Sequence, residues 1–212
     1  MKPSRFLNIL LGLPLCFIGC IRDDVSSGQT LQTALYLFDS ASNQILTYSD
    51  LSSLYGAPSV PIPSKVLTNV NLSQVTNLAW GGMTLDTQTD QLFLLSESGT
   101  VVRINRIREQ TGSINSTDVT SFTLDPSQRA QNSKFSQASI DSVTHTLYVT
   151  ENGDNLCRIW IITNAGSRLQ NETIPLNVLQ VTNDTGGRSV AADNGTVFTY
   201  ADNGSSVLIG TD

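Results

Sequence analysis

Charge is scarce in this 212-residue chain: only 14% of its residues are Asp, Glu, Lys or Arg, and only three are lysine. The net charge of -6 and the sequence pI near 4.6 leave no dense basic surface to neutralise phosphates, so nucleic acid is excluded as a partner. There is a single histidine, His145, in a turn, and no Ser-His-Asp triad can be assembled around it. No glycine-rich phosphate loop follows a strand and opens a helix, because no stretch carries a helical period. What is present is 39% hydrophobic content, enough for a core, together with abundant Ser, Thr, Asn and Gly. That mixture favours strands and tight turns, and the body of the chain alternates apolar and polar residues in short runs bounded by turn formers.

The first twenty residues differ from the rest. Lys2 and Arg5 precede a mostly apolar run from Phe6 to Phe17, broken by Asn8, Gly12 and Pro14. The run is too short for a permanent membrane-spanning helix, which takes roughly 20 apolar residues, and it has the layout of an export signal. It closes on Phe17-Ile18-Gly19-Cys20, which resembles the lipobox of bacterial lipoprotein signal peptides, with Phe17 in place of the usual Leu. The resemblance implies cleavage before Cys20 and acylation of that cysteine. Residues 1–19 are then the signal peptide and residues 20–30 a lipidated, polar tether. Ile21 stands where an Asp would retain a lipoprotein in the inner membrane, so the resemblance implies the outer membrane of a cell envelope. Once Cys16 is removed and Cys20 acylated, Cys157 is alone. No disulfide can then form within the mature chain, and Cys157, in an apolar strand pattern, is expected to be a small buried hydrophobe.

Residues 31–212 repeat themselves. Asp86-Thr-Gln-Thr-Asp-Gln-Leu-Phe-Leu-Leu aligns with Asp141-Ser-Val-Thr-His-Thr-Leu-Tyr-Val-Thr at a shift of 55 residues. A third copy begins at Asp193, and a partial one is Leu35 to Asp39 followed by Asn43 to Tyr48. Each copy reads as four short antiparallel strands. An Asp opens the first turn, where it bonds nearby backbone N–H groups, and an aromatic marks the second strand. Gly81-Gly82 and Gly186-Gly187 are read as tight entries to first strands, where backbones crowd together. Four-stranded units of this length form the blades of β-propellers. The phrase from Asp141 to Ile159 resembles NHL and SMP-30-like propeller repeats. The expected fold is therefore an all-β, incomplete β-propeller of about three and a half blades. Fourteen strands fall short of a closed ring, which has at least about four blades. A piece of a longer polypeptide is the preferred explanation; an open curved stack and a ring shared by two chains, a homodimer, are the others.

The acidic turn residues are the chemical candidates. Asp39, Ser96, Glu151 and Ala201 occupy one column of the repeat, and Glu97, Asn152 and Asp202 the next. In SMP-30-like lactonases oxygen ligands from several blades hold a central divalent cation, so the resemblance implies Asp39 and Glu151 as ligands for Ca²⁺ or a similar hard cation. Trp80, just ahead of Gly81-Gly82, is the candidate to stack on a sugar or peptide. No residue is assigned a catalytic role. The reading is an envelope lipoprotein, non-enzymatic and without a cofactor, whose loops bind a protein or glycan. The alternative is a lactonase-like, metal-dependent hydrolase.

Overall fold

The computed structural model of the chain describes residues 16–21, 34–39, 41–49, 62–68, 80–153, 156–181, 189–200 and 206–210. Among them there is no α-helix; strands and three short 3-10 turns account for the regular structure. Within each sheet most strands pair antiparallel with their neighbours in sequence, as meanders, because the connections are short. Among the described residues four sheets follow one another along the sequence, and none is closed.

The first sheet contains β1 (Cys16–Ile21), β2 (Ala34–Asp39), β3 (Gln44–Tyr48) and β4 (Lys65–Thr68). The second contains β5 (Trp80–Asp86), β6 (Gln91–Ser96), β7 (Thr100–Asn105) and β8 (Val119–Leu124). The third contains β9 (Lys134–Asp141), β10 (Thr146–Gly153), β11 (Leu156–Ile162) and, after β12 (Glu172–Ile174), β13 (Val178–Val181). The fourth contains β14 (Ser189–Asp193), β15 (Thr196–Tyr200) and β16 (Ser206–Gly210).

Strand positions follow the repeat. The fourth strands of the first three sheets are β4, β8 and β13. Two strands are additional. β12 joins the outer edge of the second sheet in parallel to β8, Glu172 opposite Phe122. β1 comes from the end of the expected signal segment and pairs antiparallel with β2, Cys20 opposite Leu35. The first sheet thus has four strands although its copy of the repeat is partial in sequence.

The second and third sheets each offer one face to the sheet before and the other to the sheet after. Tyr36, Phe38, Ile45 and Leu67 of the first sheet pack against Leu92, Leu94, Val102 and Ile104 of the second. The other face of the second, with Phe93, Leu95, Val101 and Phe122, packs against Leu147, Val149, Trp160 and Ile162 of the third. Tyr148 and Ile159 of the third meet Val190 and Val197 of the fourth, and Cys157 lies fully buried among them. At about 25 cal/mol per Å² of apolar surface, these three layers supply most of the driving force for folding.

The sheets converge at their first strands. Close backbone approaches between sheets join β1 to β5, β5 to β9 and β9 to β14. Two side-chain bonds lock them: the Ile140 N–H donates to Thr84 Oγ1 at 3.1 Å, and the Ala192 N–H to Ser139 Oγ at 2.9 Å. Glycine allows this closeness. A Cβ on Gly82 would lie 2.8 Å from Ala138 N, and one on Gly81 would meet the Phe135 carbonyl.

Candidate functional site

The acidic column of the repeat sits where the second strand of a sheet turns into the third. Three described members of this column hold that hairpin by three different devices. Asp39 Oδ1 accepts from the N–H groups of Ala41 at 3.0 Å and Ser42 at 3.4 Å, while Oδ2 accepts the Ser42 hydroxyl. The Ser42 hydroxyl opposes the modest cost of burial, and with the two backbone bonds it holds the Asp39 carboxyl below its usual value. Ser96 is fully buried and accepts from the Thr100 N–H at 2.9 Å.

Glu151 is the third member, and its side chain is also fully buried. Its Oε1 accepts from the Ala130 N–H at 2.7 Å and from the Ser133 hydroxyl. Its Oε2 accepts from Arg158 Nε at 2.6 Å and Trp160 Nε1 at 2.6 Å. An ionised carboxylate has about four lone-pair positions, and all four are taken by donors. Burial pushes the Glu151 carboxyl up; the bonds from Arg158, Ser133, Trp160 and Ala130 outweigh burial, and the group lies below the ordinary glutamate value. The guanidinium of Arg158 lies 5.7 Å from the Trp160 ring, and Trp160 meets Phe135 edge to face at 5.7 Å. The carboxylate therefore ties β10 and β11 to the segment 130–133 that leads into β9.

Asp39 and Glu151 belong to the first and third sheets, each engaged with its own hairpin. Among the described residues no group of three or more His, Cys, Asp or Glu side chains is placed to hold a metal ion. In the neighbouring column Glu97 pairs with Lys134 at 2.9 Å, and Asn152 Nδ2 donates to Ser136 Oγ at 2.6 Å, while the buried Asn152 Oδ1 accepts no hydrogen bond among the described residues. Trp80 opens β5 opposite Ser96, but its side chain, like that of Cys20 in β1, lies outside the described residues. Ala201 and Asp202 lie outside them altogether.

The structure adds a bond that the sequence does not announce. Asp86, at the end of β5, is fully buried. Its Oδ1 accepts from the N–H groups of Gln88 at 3.0 Å and Thr89 at 3.2 Å, as a turn-opening Asp should. Its Oδ2 reaches across to His145 Nδ1 of the next sheet, 2.7 Å away. Asp141, 55 residues later, does the same: Oδ1 accepts from Val143 N–H at 2.9 Å, and Oδ2 accepts from Gly195 N–H of the following sheet at 2.6 Å. Each turn aspartate thus closes its own hairpin with one oxygen and ties down the hairpin of the next sheet with the other. His145, which reads as a solvated turn residue, is half-buried and serves as the partner in the first of these ties. It has a left-handed φ of 53°, as does the equivalent Asp90 at 55°. The only signal for this role is the alignment of Asp86 with Asp141, which shows equivalence but not reach.

The long loop from Arg106 to Asp118 is also pinned. Arg106 Nη2 binds both oxygens of Asp118 at 2.7 and 2.9 Å, and Gln110 Nε2 adds a third bond at 2.9 Å. A scan against protein-family models finds no match for this chain, and a search of the curated proteins finds none either.

Proposed function

We propose that this chain is an envelope-anchored lipoprotein whose sheets are the blades of a β-propeller and whose outer loops bind a protein or glycan, without enzymatic chemistry. The observation that carries the reading is how the buried polar side chains of the repeat are used. Glu151, Asp86 and Asp141 each spend both carboxylate oxygens on holding hairpins and neighbouring sheets together. A carboxylate surrounded by N–H and O–H donors presents hydrogens rather than lone pairs to any approaching cation, so the repeat reads as a scaffold for its loops. Convergence of the sheets at β1, β5, β9 and β14 is the arrangement that blades take around an axis, and it supports the propeller reading.

The anchor rests on Phe17-Ile18-Gly19-Cys20. Two or more acyl chains on Cys20, at about 0.8 kcal/mol per buried CH₂, would hold the protein durably on a membrane. Cleavage before Cys20 would also remove Cys16 to Gly19 of β1, leaving only Cys20 and Ile21 opposite Leu35 and Ala34 of β2. No helix among the described residues is long and apolar enough to cross a membrane.

Cys20→Ser in the full chain is expected to move the protein from the membrane fraction to the soluble fraction of lysed cells. Equal membrane retention of the variant disproves the anchor. The purified domain, loaded with excess Ca²⁺ and dialysed, is expected to retain no stoichiometric cation by elemental analysis. One equivalent retained by the wild type and lost in Glu151→Gln would establish the hydrolase-like alternative instead.

A further inference from the structure

In the second and third sheets the connection between the third and fourth strands reaches backward. In the second sheet this connection runs from Arg106 to Asp118 and passes the outer edge of the first sheet, where Ser113 makes a parallel bridge to Thr68 of β4. The Thr68 N–H donates to Gly112 O at 2.8 Å, the Ile114 N–H to Thr68 O at 2.9 Å, and Lys65 Nζ to Arg108 O at 2.7 Å. In the third sheet the connection carries β12, which lies parallel to β8 on the outer edge of the second sheet. Here the Asn171 N–H donates to Ser121 O at 2.7 Å, and the Asp125 N–H to Ile174 O at 2.9 Å. Gln170 adds two bonds to Ser121: its Oε1 accepts from the backbone N–H at 2.8 Å, and its Nε2 donates to Oγ at 3.0 Å.

The two connections are built alike. Each is stapled on itself by an Arg–carboxylate pair, Arg106 with Asp118 at 2.7 Å and Arg168 with Glu172 at 2.9 Å. Each sinks one isoleucine, Ile114 or Ile174, into the apolar layer between its own sheet and the preceding one. The rest of the contact faces solvent: Gly112 and Ser113 are exposed, as are Gln170, Asn171 and Thr173. A segment held by one apolar side chain and a few solvent-exposed hydrogen bonds opens at lower free energy than the layers behind it. The strand beneath is a sheet edge, whose N–H and C=O groups would otherwise stand ready to pair with a further strand.

We infer that these connections are edge straps: each seals the outer edge of the preceding sheet and can lift while its own sheet stays closed. The protection of β8 is thus set by the third sheet's strap, and that of β4 by the second sheet's. The coupling runs backward only. When the third sheet's strap lifts, β8 loses a partner, whereas β11 keeps both of its own, β10 and β13. The inference needs neither the lipid anchor nor a bound ligand, so it stands or falls apart from the Cys20→Ser fractionation.

The test is amide hydrogen exchange of the full chain in a mild detergent, read by mass spectrometry on peptides covering β8 with Asp125 and on peptides covering β11. Asn171→Pro lifts the strap, because proline has no N–H for Ser121 O and cannot adopt the φ of 61° that Asn171 takes. Asn171 is exposed, so the substitution removes no core packing. β8 is expected to exchange roughly tenfold faster, as the loss of one or two net hydrogen bonds would give, while β11 keeps its unmodified rate. Gln170→Ala deletes only the two side-chain bonds to Ser121 and is expected to shift β8 the same way by a smaller factor. It carries the test alone if the far-ultraviolet β-sheet signal shows that Asn171→Pro does not fold. Exchange of β8 at the unmodified rate in the folded variants overturns the inference. So does equal acceleration of β8 and β11, which would make strap and sheets a single opening unit.

Discussion

Glu151→Ala is expected to destabilise the domain by about 3–5 kcal/mol, because it removes the acceptor from a buried ionic cluster and leaves the donors behind. Arg158, with only 13% of its side chain exposed, would lose its carboxylate, and Trp160 Nε1 would face a void lined by Phe135 and Ser133. A whole domain of this kind is stabilised by only about 5–15 kcal/mol, so the variant should unfold at markedly lower urea concentration. Asp39→Ala, in the same column of the repeat, is expected to cost about 1 kcal/mol, since the bonds it loses lie at an exposed hairpin. The comparison separates a buried cluster from an ordinary turn cap at equivalent sequence positions. Equal effects in urea titrations of the two variants would show that the Glu151 cluster contributes nothing special.

The same carboxylate makes the domain acid-sensitive, and the sign follows from its lowered pKa. A group that binds protons more weakly folded than unfolded contributes stability that is fully present above its unfolded pKa, about 4.3 for glutamate. That stability is lost as pH falls through the lower folded value. Asp141 acts with the same sign: burial opposes its charge, and the bonds from Gly195, Val143 and Thr144 more than offset that. Urea midpoints of the wild type should therefore fall as pH drops below about 4.3, and those of Glu151→Ala should fall less. A parallel decline in the two proteins would remove Glu151 from the account.

Gly82→Val is the second large expectation, and it tests the convergence of the sheets. A Cβ at position 82 would stand 2.8 Å from Ala138 N and 3.1 Å from Gln137 Cα, and both are backbone atoms of β9 with no rotamer to yield. β5 and β9 must move apart, which strains the bond from Ile140 N–H to Thr84 Oγ1 and loosens the layer between Phe93 and Val149. Overpacking of this kind costs about 1–3 kcal/mol, and a branched side chain against backbone belongs at the upper end. Gly112 is the control. A Cβ there meets nothing within 4 Å, and its φ of +62° makes Gly112→Ala a purely conformational change worth about 1 kcal/mol. A Gly82→Val variant no less stable than Gly112→Ala would mean that the first strands are not in contact.

Much of the fold was legible because its causes are local. The short apolar runs of Gln91–Ser96 and Thr146–Gly153, bounded by turn formers, and the turn aspartates are properties of adjacent residues. The shift of 55 residues then places equivalent strands in equivalent sheets. The burial of Cys157 was readable for the same reason, from the apolar pattern of β11. The pairing of β12 with β8 was not, because three residues carry no period long enough to register and their partner lies some 50 residues away.

The candidate site shows where local pattern stops. Asp39, Ser96 and Glu151 share a column, and sequence alone treats the two acids as one class. Their environments are decided by what each sheet brings beside them: solvent and Ser42 for Asp39, and Arg158, Trp160, Ser133 and Ala130 for Glu151. Likewise Asp86 declares its own turn in sequence, while its second oxygen finds His145 only once two sheets are stacked. The amino-acid order by itself determined the all-β class, the repeat and the hairpins, since each depends on side-chain alternation and turn chemistry within a few residues. Tertiary structure alone decided which carboxylates are buried and what they hold, because burial and hydrogen-bond partners are set by residues that only the packing of one sheet on another brings within 3 Å.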